Sequence, residues 1–486
     1  ILIDQRLIGS RKLKNTYLLK LNPAENSEAL FKIFSSQDIF EFVERNHVVY
    51  KTGKEVCFQT LPNDDLFSRQ YALHNTGNFP LYEAEVDADV DMDLAWDIST
   101  GSAEIVLAIL DTGVRRFHPE LRPRHWINPN EIRNFEDTDE NGYVDDQIGW
   151  DFVNDKNSVG DDDGHGTHVT GIAAATGNNE LGYAGADWNC QIMTCKVLSN
   201  TGTGSSAGVI EGIYYAVDNG ANVINMSLGS NIPSPAYEEA INHAYDNNVT
   251  VVAAMGNDNT DLLHFPAAYA NAIAVGASKP DDDRAAPFPF GGQNGGSNFG
   301  DYIDVIAPGS LIYGLSSASD TDYSRWFNGT SQASPLVAGI ATLMLSVDPD
   351  LTPDEIRSIL RSTAEDQVGD PEEDTEGFDV FYGYGRVNAF NALSTLSSTS
   401  TSNLSLDNRF QLFPNPAKER ATIKSDYQFD RIIIQNILGA EVLNIQITPD
   451  DRHTIDTKYF PSGSYIIQIS SEDEQKIGNK KLIISK

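Results

Sequence analysis

Between residues 105 and 255 the sequence alternates two kinds of segment, and that alternation restricts the fold more than any other feature. IVLAIL (105–110), CQIMTCKVL (190–198), ANVINMSL (221–228) and NVTVVAAM (248–255) are near-continuous apolar runs, the pattern of strands buried on both faces. GVIEGIYYAVDNG (208–220) and PAYEEAINHAYDNN (235–248) carry apolar residues at helical spacing and end in Gly or Asn. Strands alternating with helices predict an α/β fold on a doubly wound parallel sheet, with its sites at the carboxyl ends of the strands. This texture holds from about residue 62 to 393, out of 486.

The flanks read differently. TYLLKLN (16–22) and HVVYKT (47–52) read as strands and SEALFKIFSSQDIFEFVER (27–45) as one or two amphipathic helices, a small α+β unit over 1–61. LSTLSSTSTSNLS (393–405) is rich in Ser and Thr, so a linker is expected over 394–407. Residues 408–486 change to short alternating strands with turns such as FPSGSYIIQIS, a small β domain. No run of 18 apolar residues occurs, so no membrane-spanning helix is expected. The sequence begins at Ile1 with no visible signal peptide, which by itself says nothing about export.

Charge separates the same segments. The net charge is −36. Residues 1–60 hold 9 basic and 7 acidic groups and residues 401–486 hold 11 of each, leaving 14 basic and 52 acidic groups between them. Such a polyanion repels phosphate backbones, which excludes nucleic acid as a partner. The acidic runs DADVDMD (87–93), DDD (161–163) and DPEEDTE (370–376) read as solvating surface. Three cysteines, Cys57, Cys190 and Cys195, are too few for a disulfide framework. Cys190 and Cys195 flank a predicted strand that would hold them roughly 16 Å apart, beyond disulfide reach.

Three short motifs place a reactive group at a turn beside a glycine. Asp111-Thr112-Gly113 ends the strand IVLAIL; DGHGTHVTGIAAA (163–175) sets His165 between two glycines at the start of a small-residue helix. NGTSQASPLVAGIATLML (328–345) sets Ser331 at the N-terminus of another helix. Taken singly, Asp111 would read as a turn former and Ser331 as a helix cap. Together they are the set that acyl transfer needs: a hydroxyl nucleophile, an imidazole to carry its proton, and a carboxylate to orient the imidazole. AAMGNDN (253–259) ends a further strand in Gly256-Asn257. An amide there can donate to a developing oxyanion, with the Ser331 N–H as second donor. His165 and His168 lack the intervening Glu of His-Glu-x-x-His, so zinc is not expected; His168 should pack on the helix it shares with His165.

Asp-Thr-Gly, Gly-His-Gly-Thr-His, Gly-Asn and Gly-Thr-Ser-Gln-Ala-Ser-Pro, in this order, resemble the subtilisin-like serine peptidases. AAYANAIAVGAS (267–278), DVIAPG (304–309) and YGYGRVNAFNAL (382–393) extend the likeness. The order Asp, His, Ser is one of three unrelated chain orders for such a triad. The resemblance implies Asp111, His165 and Ser331 as the triad and Asn257 as the oxyanion donor, hence a serine endopeptidase acting on protein or peptide substrates. It also implies that Met226, Ser227, Leu228 and Gly229 form an edge strand that pairs with substrate backbone. TGTGSSA (201–207), including Gly202, would face it, an arrangement that binds extended peptides by main-chain hydrogen bonds. Ala253, Ala254, Met255 and Gly256 would wall the primary specificity pocket. Asp258 and His264 fall near its base, which points to cationic side chains there.

The resemblance further implies calcium. GNNELGYAG (177–185) matches the family's calcium loop, with ligands from the Asn179 side chain and the carbonyls of Gly177, Leu181 and Tyr183, closed by Asp64 and Glu120, an all-oxygen set that suits Ca2+. Glu120 stands where relatives usually have Asp. DTDENGYVDD (137–146) offers Asp137, Asp139 and Asn141 and then Gly142, the opening of an EF-hand-like loop whose twelfth position is Ile148 rather than Glu. WDFVNDKNS (150–158) matches a further family site, but Lys156 there would compete with an ion.

At the ends, residues 1–61 occupy the place of the family's pro-segment, an intramolecular inhibitor and chaperone, with Leu61–Asp64 as the cleavage zone. FQLFPNPAKERATI, IIIQNILGAEVLN, FPSGSYIIQI and KKLIISK (410–486) resemble the C-terminal sorting domain of the type IX secretion system. The expectation is a monomeric zymogen, secreted by or held on the surface of a Gram-negative bacterium. The alternative is a non-catalytic surface adhesin that keeps the subtilisin-like scaffold.

Overall fold

The computed structural model describes residues 2–4, 18–20, 60–291, 295–400, 410–413, 417–418, 420–436, 441–458, 460, 463–470 and 476–484. Ile1–Cys57 and Phe58–Lys486 are separate compact units. In the first, β1 (Leu2–Asp4) and β2 (Leu18–Lys20) pair antiparallel; β2 falls within the strand expected at 16–22, and β1 was not expected. The helices expected at 27–45, the strand at 47–52 and Cys57 lie outside the described residues.

In the second unit, seven parallel strands form one sheet. They are β3 (Val106–Asp111), β4 (Gly149–Asp151), β5 (Gln191–Lys196), β6 (Val223–Met226), β7 (Thr250–Ala254), β8 (Ala272–Ser278) and β9 (Val305–Pro308). Their spatial order is β4-β5-β3-β6-β7-β8-β9. Every residue of β3 is buried, because both faces of the sheet are covered. Leu107 and Ile109 enter one apolar core and Val106, Ala108 and Leu110 the other, as the period of two in a strand requires. Cys190 and Cys195 are free thiols buried in these cores.

The helices follow the sheet. After the short α1 (Met92–Ala95) come α2 (His165–Ala174), α3 (Ser206–Asp218), α4 (Pro235–Asp246), α5 (Thr330–Val347), α6 (Pro353–Thr363) and α7 (Ala389–Ser400). Val169, Ile172, Leu336 and Ile340 place α2 and α5 on one core; Val209, Ile213, Tyr237 and Ile241 place α3 and α4 on the other. The helix α5 is long and apolar enough to cross a membrane, but 83 % of it is buried inside the protein. It is a core helix. A two-stranded ribbon, β10 (Ile312–Tyr313) with β11 (Trp326–Phe327), precedes it.

Two expectations need correction. The Ser/Thr-rich stretch is not all linker, because α7 continues to Ser400; Leu393 and Leu396 are buried in the core and hold it there. The C-terminal strands are not all short. β12 (Phe410–Phe413), β13 (Arg420–Asn436), β14 (Glu441–Asp456), β15 (Gly463–Ser470) and β16 (Lys476–Ile484) form one antiparallel sheet, in which β13 has 17 residues and β14 has 16. Register shifts between Lys424 and Arg431 interrupt the β13–β14 pairing without ending the strand. Ile432, Ile434, Ile467 and Ile469 alternate into its own core.

Candidate active site

The carboxyl ends of the strands bring the candidate residues together. Asp111 is the last residue of β3 and is buried. His165 opens α2, whose N-cap Gly164 has φ 115°, a left-handed conformation that side chains resist. His165 Nδ1 lies 2.8 Å from Asp111 Oδ1 and 3.0 Å from Oδ2, so the carboxylate fixes Nδ1–H and leaves Nε2 as the acceptor. Burial of the ring works against the imidazolium. The Asp111 charge and hydrogen bond, then the charges of Asp163 and Asp161, outweigh it, and the His165 pKa is raised. His168, one turn on, is buried with Nε2 3.1 Å from the Ile312 carbonyl. Burial, then the neighbouring His165, pushes it down to about 3. Its ring packs on the ribbon, with Phe327 at 4.7 Å between centroids, rather than on the helix it shares with His165, and stays neutral.

Ser331 is the second residue of α5, where backbone N–H groups have no intrahelical acceptor. Its Oγ donates to the Ser227 carbonyl at 3.3 Å, and among the described residues no hydrogen bond joins it to His165. Asn257 follows β7. Its Oδ1 accepts from Thr330 N at 2.9 Å and Thr330 Oγ1 at 3.1 Å, while Gly256 N donates to Thr330 Oγ1 at 3.0 Å. These bonds orient the amide so that Nδ2, not Oδ1, is free beside the start of α5.

A polar bracket that the sequence reading missed joins the Asp111 turn to the His165 helix. Asp161 accepts from Thr112 Oγ1 at 2.9 Å, Gly164 N at 2.8 Å and Thr167 N at 2.9 Å. Thr112 Oγ1 accepts from Gly166 N at 2.8 Å. The buried Lys196 donates to the Thr112 carbonyl and to Asp162 Oδ1, both at 2.6 Å. The DDD run is therefore not simply solvating surface. The other two acidic runs are corrected likewise. Asp89 accepts from Asn75 N at 2.5 Å and Asp91 N at 2.6 Å; Asp93 lies 3.3 Å from His74 Nδ1. Asp374 accepts from Gly369 N at 2.8 Å, and Glu373 pairs with Arg284 at 2.7 Å. Carboxylates leave water where backbone N–H groups of turns or a guanidinium replace it.

On the substrate side, Met226 is not on an edge. It is buried in β6 and paired with Ala253 of β7; only beyond it, through Ser227, Leu228 and the exposed Gly229, does the segment leave the sheet. The Ser227 hydroxyl is engaged with Ser331 O at 2.9 Å and Ser334 Oγ at 3.0 Å, and its carbonyl accepts the Ser331 hydroxyl. Gly202, with φ 68°, sits in an exposed turn closed by its N–H to Ser199 O at 3.0 Å. From Ser206 the segment is already α3. Ala254 and Gly256 are buried at the end of β7.

The residues of the first calcium loop converge. Asp64 and Glu120 are buried, and among the described residues neither forms a salt bridge and Asp64 Oδ1 has no hydrogen-bond partner. Asn178 N donates to Asp64 Oδ2 at 2.6 Å, and Asn179 Nδ2 to Glu120 Oε2 at 2.7 Å. Burial pushes Asp64 up to about 6 and Glu120 up to about 7. The carbonyls of Gly177, Leu181 and Tyr183 accept no hydrogen bond among the described residues. A partnerless buried carboxylate oxygen, a second buried carboxylate and carbonyls that accept no hydrogen bond are donor chemistry that fits a hard cation.

In the second loop the structure selects different partners. Asp137 accepts from Asn141 N at 3.1 Å and Gly142 N at 2.8 Å, which closes the turn. Asp139 instead groups with Glu131 and Asp146, their oxygens within 4.8 Å of one another. Asn141 Nδ2 donates into that group, to Asp146 Oδ2 at 3.1 Å. Glu131 and Asp146 were missed because neither falls at an EF-hand ligand position. In the third loop, Lys156 Nζ lies 3.8 Å from the buried Asp151 Oδ2, so the ammonium faces the carboxylate.

A parallel sheet with aspartate, histidine and serine at these positions defines a class of nucleophilic hydrolases, and comparison with known proteins narrows it. Residues 102–385 match the model of the subtilase family, and residues 411–485 match that of the secretion system C-terminal sorting domain. Thermitase of Thermoactinomyces vulgaris is 35 % identical over 333 residues, 68 % of this chain and 99 % of that one. The thermophilic serine proteinase of Bacillus sp. (strain AK1) is 34 % identical over 370 residues, 76 % of each chain. A solved protease of Pseudoalteromonas arctica PAMC 21717 superposes with a TM-score of 0.52 at 29 % identity, covering 69 % of this chain and 99 % of that one. The chain belongs to the subtilase family and is a subtilisin-like serine endopeptidase. Its type IX sorting domain makes it a secreted or cell-surface protein.

Proposed function

We propose that the chain is a secreted, calcium-stabilised endopeptidase that works through Ser331, His165 and Asp111. The reading rests on one observation above all. Asp111 holds His165 Nδ1 at 2.8 Å at the same sheet edge where Thr330 turns the Asn257 amide so that Nδ2 is free. Ser331 Oγ attacks the scissile carbonyl while His165 Nε2 takes its proton, and the buried Asp111 stabilises the imidazolium through Nδ1–H. Asn257 Nδ2 and the Ser331 N–H donate to the oxyanion, with the positive end of the α5 dipole behind them. The imidazolium returns its proton to the leaving amine, and a water activated by the same imidazole releases the acyl group. Substrate backbone lies between Ser227–Gly229 and the turn around Gly202.

Calcium would be held by Asp64, Glu120, Asn179 and the carbonyls of Gly177, Leu181 and Tyr183. A second ion would use Asp139 with Glu131 and Asp146. These ions neutralise buried carboxylates and take no part in bond making. Residues 1–61 act as pro-segment and intramolecular inhibitor, 62–393 as the peptidase domain, and 408–486 as the segment read by the type IX machinery; the linker reduces to 401–407.

A fluorophosphonate probe tests the catalytic reading and separates it from a scaffold-only adhesin. Processed protein should gain one adduct on Ser331, and Ser331→Ala none. Intact processed protein that takes up no probe at Ser331 would rule out the mechanism.

A further inference from the structure

The two strand ends beside Ser331 leave a gap, and an imidazole stands in it. Ser227, just past β6, accepts the Ser331 hydroxyl. Gly256, just past β7, is tied to Thr330. If Asn257 is to reach the scissile carbonyl oxygen, the substrate side chain preceding the scissile bond (P1) must enter between these two ends. Gly229 and Gly256 contribute no side chain there. The His264 ring lies between them. Its Nε2–Cδ2 edge packs so closely on Gly229 that a Cβ at that position would overlap it; a Cβ on Gly256 would meet Asn298 Nδ2 at 2.5 Å first and the His264 Cγ and Nδ1 at 3.1 Å.

The ring is anchored rather than loose. Nδ1 lies 3.0 Å from Asn231 Oδ1, which makes it the protonated nitrogen. The next residue, Phe265, is bridged to Ser230 by two backbone hydrogen bonds of 2.8 and 2.9 Å. Swinging the imidazole out of the gap would break its bond to Asn231. Burial also lowers its pKa, so the ring fills the gap in its uncharged form.

We infer that His264 closes the floor of the primary pocket and restricts P1 to small side chains such as Ala, Ser and Thr. The inference deepens the peptidase reading above and rests on it. It replaces the cationic preference expected near Asp258, since Lys and Arg are too long for a pocket shortened by a ring. Phe, Tyr and Leu are disfavoured for the same reason, because a close-packed wall does not yield to extra volume.

Peptide p-nitroanilides with one common leader and Ala, Leu, Phe or Lys at P1 provide the test. In processed wild-type protein, kcat/KM for Ala should exceed that for Phe at least about tenfold. His264→Gly should raise the Phe-to-Ala ratio at least about tenfold, with His264→Ala intermediate; the alanine variant keeps the test open if glycine loosens the 257–266 segment. Equal rates on Ala and Phe in the wild type, or a ratio unmoved in both variants, overturns the inference while leaving the peptidase reading intact. Protein that neither labels at Ser331 nor cleaves any of the peptides sinks both.

Discussion

His165 sits in a field made by more than its partner Asp111. Asp163 and Asp161 also raise its pKa, and Asp163 Oδ1 accepts the His165 N–H at 3.2 Å. A general base must be neutral to work, so a raised pKa moves the acid limb of the pH–rate profile to higher pH. Asp163→Asn removes one of those charges. The acid limb of kcat/KM should move downward by roughly a few tenths of a pH unit, the scale of an exposed charge in high dielectric. A profile that does not move would show that Asp163 is screened from the ring. At this scale the sequence was informative where a reactive residue stands among special neighbours, as with Asp111, His165, Asn257 and Ser331. It was uninformative for Asp161. Within DDD nothing distinguishes the carboxylate that accepts Thr112, Gly164 and Thr167 from one that faces water, because the donors arrive from a strand end and a helix start that only the fold brings together.

The elements that carry His165 and Ser331 meet at a glycine. A Cβ on Gly339 of α5 would lie 2.7 Å from the Ala173 carbonyl of α2 and 2.7 Å from Ala186 Cβ. The spacing of the two helices therefore depends on a missing side chain. Gly339→Val should force them apart, lowering stability by about 1–3 kcal/mol as overpacked cores do and lowering kcat more than it alters KM. Thermal unfolding and steady-state kinetics on one preparation check both parts, and wild-type stability with wild-type kcat would refute the packing argument. The alternation of strands and helices was readable because each strand of the parallel sheet is apolar throughout. The extent of α7 was not. Ser and Thr dominate its second half, and only the burial of Leu393 and Leu396 against the core shows why the helix continues.

For the whole molecule, the acidic residues of 61–400 have three fates: some are exposed, some are buried beside a basic side chain, and some are buried without a countercharge. In the first loop the folded-state pKa values, about 6 for Asp64 and about 7 for Glu120, lie above the ordinary 3.8 and 4.5. Without an ion the folded chain holds these protons more tightly than the unfolded chain does. This favours folding at low pH, and the benefit disappears as pH rises through 6 to 7. The proposed calcium ion would take over where the protons leave. A chelator should lower the unfolding midpoint by several degrees at pH 8 and by much less at pH 5, measured by calorimetry at fixed ionic strength. An unchanged midpoint at pH 8 would exclude a structural ion. The loop at Asp151 behaves differently. There the compensating charge is the ammonium of Lys156, fixed to the backbone by its own side chain. It has no dissociation constant, cannot be stripped by a chelator or diluted away, and holds that corner of the enzyme however little calcium the surrounding medium contains.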